Sequence, residues 1–190
     1  VTTWADQSGN GNNVTRATAS KKPKYKASGQ NGRPAVLFNA FGDQMEASFA
    51  SSQPTTLYVV FKPTGTPPLN QYFMDGATAN ARVMTFPASN KVAIYAGVEL
   101  IIAGTVTISS PHIYVGVFNG VNSEVQFDNS AITTGDAGTN VPAGLSVGTD
   151  GNAGNGAGGE ISEVLLYTGA HGASLRGQVI NYLNGLYACF

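Results

Sequence analysis

Pairs of acidic residues are the first feature of this sequence that could do chemistry. Two carboxyl groups that face one another can hydrolyse a glycosidic bond, one acting as acid and the other as nucleophile or base. Glu160 and Glu163 are the closest such pair within a predicted strand, and a spacing of three places them on opposite faces of a regular strand. A bulge would realign them, but nothing in the sequence requires one. We therefore predict no catalytic residues, and we expect both glutamates to support a strand edge or its loops.

The polar segment that begins at Trp4 is a second candidate. Its sequence is W-A-D-Q-S-G-N-G-N-N, a tight turn rich in glycine and asparagine. Asp6, Asn10 and Asn12 carry the hard oxygen ligands that Ca²⁺ prefers, so they form a candidate metal site. The carboxylate of Asp6 could instead accept hydrogen bonds from the backbone of its own turn, as in an Asx turn. The residues leave both interpretations open.

The other reactive side chains have no recognisable metal or catalytic pattern. His112 and His171 are the only histidines, and no HExxH or paired-cysteine spacing accompanies them. We expect both to occupy ordinary loop or strand-boundary positions. Cys189 is the single cysteine, which excludes an internal disulfide.

Aromatic side chains on strands could stack on sugar rings. The predicted strands carry five tyrosines, Tyr58, Tyr72, Tyr95, Tyr114 and Tyr167, while Trp4 is the only tryptophan. Because a strand aromatic more often packs in a core or across strands, the ligand-binding residues stay unassigned.

Composition and charge exclude several classes of protein. Only 11% of the residues are charged, and glycine, asparagine, serine and threonine take their place, as in many secreted or particle-surface β-proteins. The net charge of −1 and the absence of RNA-binding, OB-fold or zinc patterns argue against nucleic-acid binding. No apolar run approaches the roughly 20 residues that span a membrane.

The basic residues are unevenly distributed along the chain. Six of the ten fall within the first 33 residues: Arg16, Lys21, Lys22, Lys24, Lys26 and Arg33. Such a surface could steer an anionic glycan or an oppositely charged neighbour, or it could simply be a solvated loop.

Short apolar segments separated by turn residues predict a β-sandwich or barrel. The predicted strands are Ala35–Asn39, Met45–Phe49, Thr56–Lys62, Gln71–Met74, Arg82–Phe86, Lys91–Ala96, Glu99–Ile102, Ile113–Phe118, Ser123–Phe127, Leu145–Gly148 and Glu160–Tyr167. Leu175, Val179 and Leu183 recur at helical spacing, which predicts one C-terminal helix with Ser174 as its N-cap.

Three separated motifs carry a resemblance to a known family. They are the segment that begins at Trp4, N-G-R-P-A-V-L-F-N at 31–39, and G-G-E-I-S-E-V-L-L-Y-T-G-A at 158–170, the last followed by the predicted helix. Together they resemble laminin-G-like domains of the concanavalin A-like lectin and glucanase superfamily. The resemblance implies an all-β jelly-roll sandwich of two antiparallel sheets with a short C-terminal helix.

The same resemblance bears on calcium and on domain organisation. Relatives of this fold often hold Ca²⁺ near the sandwich edge, with a further acid after the isoleucine of the last strand; here that position is Ser162. They usually have another strand before the first motif. We therefore expect residues 1–190 to form one domain of a longer polypeptide.

These observations predict a non-catalytic recognition or adhesion module, located outside a cell, on its surface or on a virion. Its expected partner is a glycan or another extracellular polymer, with calcium as a possible cofactor. The alternative is a structural protein of a virion or surface assembly, whose partners are neighbouring subunits. A glycoside-cleaving enzyme is the least favoured interpretation.

Overall fold

The computed structural model is a sandwich of two antiparallel β-sheets with one C-terminal helix. It describes residues 1–39, 42–64, 71–78, 83–86, 90–152 and 154–190. Arg82, the predicted start of one strand, lies outside these residues. The predicted fold class, an all-β sandwich of two antiparallel sheets, is confirmed.

The first sheet has eight strands in the order β1-β2-β5-β14-β7-β8-β9-β10. Their bounds are β1 Thr3–Trp4, β2 Val14–Thr15, β5 Met45–Ser48, β7 Gln71–Asp75, β8 Val83–Phe86, β9 Ala93–Tyr95, β10 Glu99–Ile101 and β14 Gly144–Val147. The second sheet has seven strands in the order β13-β12-β11-β6-β15-β4-β3. Their bounds are β3 Lys24–Lys26, β4 Ala35–Phe38, β6 Thr55–Pro63, β11 His112–Phe118, β12 Ser123–Phe127, β13 Thr133–Gly135 and β15 Gly159–Thr168.

Strand β6 shows how the sequence builds both packing layers. Leu57, Val59 and Phe61 point into the core between the sheets and are fully buried. Tyr58 and Val60 point the other way and are equally buried. A strand with two apolar faces must be covered on both sides, as its sequence predicts.

The helix α1, Ala173–Tyr187, provides the second cover. Its buried residues Ile180, Leu183 and Tyr187 pack with Tyr58 and Val60 on the outer face of the second sheet. The helix begins before the predicted N-cap, because Gly172 has the extended backbone of the cap and Ser174 already lies inside the first turn. No helix within the described part of the chain is long and apolar enough to cross a membrane.

Candidate functional site

A groove of about 390 Å³ lies between the turn after β1 and the last half of β15. Trp4 and Phe49 supply aromatic side chains to its lining, and both also pack against the core. Asp6, Asn10 and Asn12 line it as well, so the three predicted metal ligands share one cavity. The groove therefore joins the polar turn to an aromatic and aliphatic surface.

The Asp6 carboxylate organises the turn that forms the polar wall. Its Oδ1 accepts a hydrogen bond from the Ser8 backbone N–H at 2.8 Å, and its Oδ2 accepts one from the Asn12 N–H at 2.9 Å. Hydrogen bonds from the Ser8 side chain and from the backbone amides of Ser8 and Asn12 lower the pKa of Asp6. The carboxylate is thus ionised at neutral pH and satisfied by its own turn.

This arrangement bears on the predicted calcium site. Both Asp6 oxygens already face N–H hydrogens, whose positive ends oppose a cation, and the Asn10 Nδ2 donates to Ser8 Oγ at 2.9 Å. Among the described residues, no group of three or more histidine, cysteine, aspartate or glutamate side chains could hold a metal. The donor set fits an Asx turn better than a cation. Calcium at Asp6, Asn10 and Asn12 stays a prediction.

The opposite wall of the groove is an open strand edge. β15 pairs with β6 along its length, but with β4 only through Gly159–Ile161. Over the described residues, the backbone of 163–168 has no strand partner on the side away from β6. Its N–H and C=O groups, together with the inward side chains of Val164 and Leu166, therefore lie along the groove.

A β-bulge in β15 corrects the expectation about the two glutamates. Glu160 pairs with Lys62 and Glu163 with Val60, and the register shifts between Ile161 and Glu163. Since Lys62 and Val60 are two residues apart on β6, both glutamates lie on the same face of the sheet. The prediction of opposite faces is wrong, because Ser162 is the extra residue of the bulge.

The two glutamates nevertheless have different surroundings. Glu160 is buried and its Oε1 lies 2.5 Å from Lys26 Nζ. Glu163 is half-buried, lines the groove, and accepts a hydrogen bond from the Tyr187 hydroxyl at 2.7 Å. Burial and the nearby Glu163 carboxylate raise the pKa of Tyr187, so this phenol stays protonated and donates. Of the pair, only Glu163 is among the residues that line the groove.

Both histidines are more specifically placed than the sequence suggested. His112 is buried against Asp128, with 2.5 Å between Nδ1 and Oδ2. His171 lies in the loop before α1, where its Nδ1 is 2.9 Å from the Tyr58 hydroxyl. Neither contact has a sequence signature, because the partners are 16 and 113 residues away.

Four of the five strand tyrosines are buried or half-buried, as the usual packing of strand aromatics in a core or across strands predicts. Tyr58 and Tyr114 are fully buried, while Tyr72 and Tyr95 are half-buried. Tyr167 is the exception, since it is 39% exposed and lies at the rim of the groove. The structure thus singles out Tyr167 as the exposed strand tyrosine at the rim of the groove.

Solved structures with the same fold come from enzymes that act on glycans. A GH54 α-L-arabinofuranosidase soaked with 4-nitrophenyl α-L-arabinofuranoside matches with a TM-score of 0.71 and 16% identity, over 98% of this chain and 51% of that one. Trypanosoma rangeli sialidase in complex with the inhibitor DANA matches with a TM-score of 0.67 and 12% identity, over 88% of this chain and 29% of that one. No family model matches the chain. No curated protein matches it either.

A third match is a separate domain rather than part of a whole enzyme. Domain 4 of AbnA, a GH43 extracellular arabinanase from Geobacillus stearothermophilus, in complex with arabinotriose, has a TM-score of 0.63 and 15% identity, with 87% of this chain and 82% of that one covered. At these identities the likeness establishes the fold. The chain is similar to β-sandwich domains of glycoside hydrolases, and not to laminin-G domains in particular.

These matches correct the functional prediction. A non-catalytic recognition or adhesion module, and its alternative as a virion or surface-array component, were expected from the sequence. The structural neighbours are instead sialidase, arabinofuranosidase and arabinanase. The prediction of a non-catalytic module that is not an enzyme is contradicted by these neighbours, and the carboxylate spacing on which it rested is changed by the bulge in β15.

Proposed function

We propose that this chain is a glycan-contacting domain of a larger glycan-processing enzyme and that the groove receives the sugar. The observation that carries the proposal is the composition of the groove. It combines aromatic and aliphatic surface with a rim of carboxylate, amide and hydroxyl groups. Sugars need both, because their C–H faces stack on rings while their hydroxyls take directional hydrogen bonds.

Each part of the groove has a role in this proposal. Trp4 offers the ring for stacking, and the side chains of Asn10 and Asn12 present donors and acceptors at the rim. Glu163 and the unpaired backbone edge of β15 supply acceptors and donors on the other wall. The polar turn is rigid because Asp6 anchors it at both ends, so binding orders few side chains.

Hydrolysis of a glycosidic bond is a second candidate, favoured by one observation. Asp6 and Glu163 are two carboxylates that line the same groove from opposite walls. Glycosidases use two carboxyl groups about 5–9.5 Å apart. Asp6, held ionised by its turn, would be the nucleophile or base, and Glu163 would be the second carboxyl group.

The proposal includes two further predictions from the sequence, the resemblance to laminin-G-like domains and an extracellular location. A place within a larger polypeptide is supported by the neighbours, since the chain spans only 29% and 51% of the sialidase and arabinofuranosidase chains.

The sole tryptophan makes the proposal directly testable. Trp4 lines the groove, so its fluorescence reports occupancy when arabinotriose, xylotriose or sialyllactose is titrated into the protein. We expect one of these sugars to change the emission and to bind by calorimetry. Trp4→Ala should weaken that binding about tenfold, while Tyr182→Ala, an exposed aromatic on α1, should leave it unchanged.

The same assay separates the two candidate functions. Release of nitrophenol from 4-nitrophenyl glycosides, lost in both Asp6→Asn and Glu163→Gln, would establish hydrolysis. Sugar binding without any turnover would restrict the groove to recognition within the enzyme. Unchanged Trp4 emission and no calorimetric heat with all three sugars would overturn the proposal.

A further inference from the structure

An aromatic pair, the exposed Tyr167 and the half-buried His171, lies at the edge of the groove by the end of β15. The Tyr167 and His171 rings have centroids 4.7 Å apart and are tilted by 44°. The Tyr58 ring packs edge-on against Tyr167 at 6.0 Å and supports it from below, where Tyr58 is fully buried. Tyr167 itself is 39% exposed and borders the groove, so the pair continues the groove surface around the strand edge.

The loop that carries His171 is fixed by its backbone. The His171 N–H donates to Thr56 Oγ1 at 2.9 Å, and its carbonyl oxygen accepts from Arg176 Nη1 at 2.7 Å. Thr56 Oγ1 donates in turn to the Gly169 carbonyl at 2.9 Å. Arg176 is buried and also pairs with Glu124. The position of the loop therefore does not depend on the imidazole ring.

The imidazole ring has one polar atom left for a ligand. Burial raises the pKa of Tyr58 to about 12, so its hydroxyl keeps its proton and shares a 2.9 Å hydrogen bond with His171 Nδ1. Burial and the charge of Arg176 lower the pKa of His171, which keeps the ring neutral at pH 7. Because Tyr58 occupies Nδ1, Nε2 is the ring nitrogen that can exchange a hydrogen bond with a ligand. Within the described part of the chain, that Nε2 has no hydrogen-bond partner.

The fold does not require the ring contact between Tyr167 and His171 or the hydrogen bond between Tyr58 and His171. A loop already held through its backbone gains little from a half-buried imidazole ring set against an exposed phenol ring. The orientation of the imidazole is nevertheless fixed by Tyr58, which is the way a preorganised polar group is held at a binding site. A flat ring face beside a single oriented ring nitrogen matches one sugar residue, whose C–H face stacks while a hydroxyl group forms the hydrogen bond.

We propose that Tyr167 and His171 form an additional sugar subsite, Tyr167 by stacking and His171 by a hydrogen bond through Nε2, for an oligosaccharide that extends out of the groove. The ligand class is a neutral glycan chain longer than the groove can enclose. The subsite deepens the proposed function and rests on it. Its residues contact the part of the chain outside the groove, so they determine chain-length preference.

The test compares short and long sugars on the intact chain. Calorimetric affinities for tri- and hexasaccharides of arabinan and of xylan are measured for the wild type, Tyr167→Ala and His171→Ala. We expect each variant to lose about tenfold in hexasaccharide affinity while the trisaccharide affinity stays within twofold. Tyr167→Phe and His171→Gln, which keep a ring and an N–H donor, should recover most of the loss.

Controls and outcomes keep this inference apart from the proposed function. Tyr182→Ala removes a more exposed tyrosine elsewhere on the surface, and thermal melts confirm that every variant is folded. Hexasaccharide affinity unchanged in both alanine variants would overturn the subsite while groove binding stands. Equal losses for tri- and hexasaccharides would also overturn it, because the residues would then act on the groove itself. No binding of any of these sugars by the wild type would overturn the subsite, and the proposed function would fall with it only if sialyllactose does not bind either.

Discussion

His112 Nδ1 lies 2.5 Å from Asp128 Oδ2, and its Nε2 lies 2.9 Å from the Thr107 carbonyl oxygen. A carbonyl and a carboxylate can only accept, so both ring nitrogens donate and the ring is an imidazolium. Asp128 Oδ1 also accepts from the Ile113 N–H at 2.8 Å. The pair therefore connects the start of β11 with the residue that follows β12.

Stability should fall as the pH rises above neutrality because of this pair. Burial lowers the pKa of His112, but the hydrogen bond and charge of Asp128 and the Thr107 carbonyl outweigh it, so the net shift is upward. A raised pKa contributes stability that is complete below the unfolded value of about 6.5 and is lost as pH rises through the folded value. Urea unfolding at closely spaced pH values measures this slope.

Asp128→Asn tests whether the His112–Asp128 pair causes this pH dependence of the stability. Asparagine keeps the acceptor for the Ile113 N–H and tolerates the φ of +47° at this position. We expect a loss of about 1–3 kcal/mol at pH 6 and a flatter pH profile between pH 6 and 9. A variant whose slope equals that of the wild type would show that another group carries the pH dependence.

The turn at Asp6 predicts a stability loss that does not depend on calcium. Asp6→Ala removes the acceptor for the Ser8 and Asn12 N–H groups, which destabilises the turn. The melting temperature should therefore fall equally in excess Ca²⁺ and in chelator. A calcium-dependent rise in the wild-type melting temperature that Asp6→Ala abolishes would instead establish the metal site.

Two glycine substitutions should change stability in opposite directions. Gly177 lies inside α1, and a Cβ added there meets nothing within 4 Å, so Gly177→Ala should stabilise the protein by up to about 1 kcal/mol. Gly148 has a φ of +89°, and an added Cβ would lie 2.1 Å from the Phe38 ring. Gly148→Ala should therefore destabilise by more than about 2 kcal/mol in the same denaturation assay. Equal effects at the two sites would contradict this packing.

The sequence predicted the sheets and the helix because their signals are local. Alternating Leu57, Val59 and Phe61 identify a strand, and the helical spacing of Leu175, Val179 and Leu183 identifies α1. The bulge at Ser162 could not be predicted, since it depends on the register of β15 against β6. The groove could not be predicted from the sequence either, because it brings the turn near Asp6 together with Glu163, which lies more than 150 positions later in the chain.

Lys26 and Lys24 allow a test of whether the basic N-terminal segment contributes to stability. Both lie on edge strand β3, and their side chains point to the same face of the sheet. Lys26 faces the buried Glu160 carboxylate, whose other oxygen is buried with no hydrogen-bond partner in the described residues. Lys26→Met would leave that charge uncompensated, so we expect a loss of about 3 kcal/mol in the free energy of unfolding at pH 7. Lys24 is exposed, so Lys24→Met should change stability by less than about 0.5 kcal/mol. Similar small losses in both variants would mean that Lys26, too, is a solvated surface charge, whereas the expected difference would assign it to the support of β15 behind the groove.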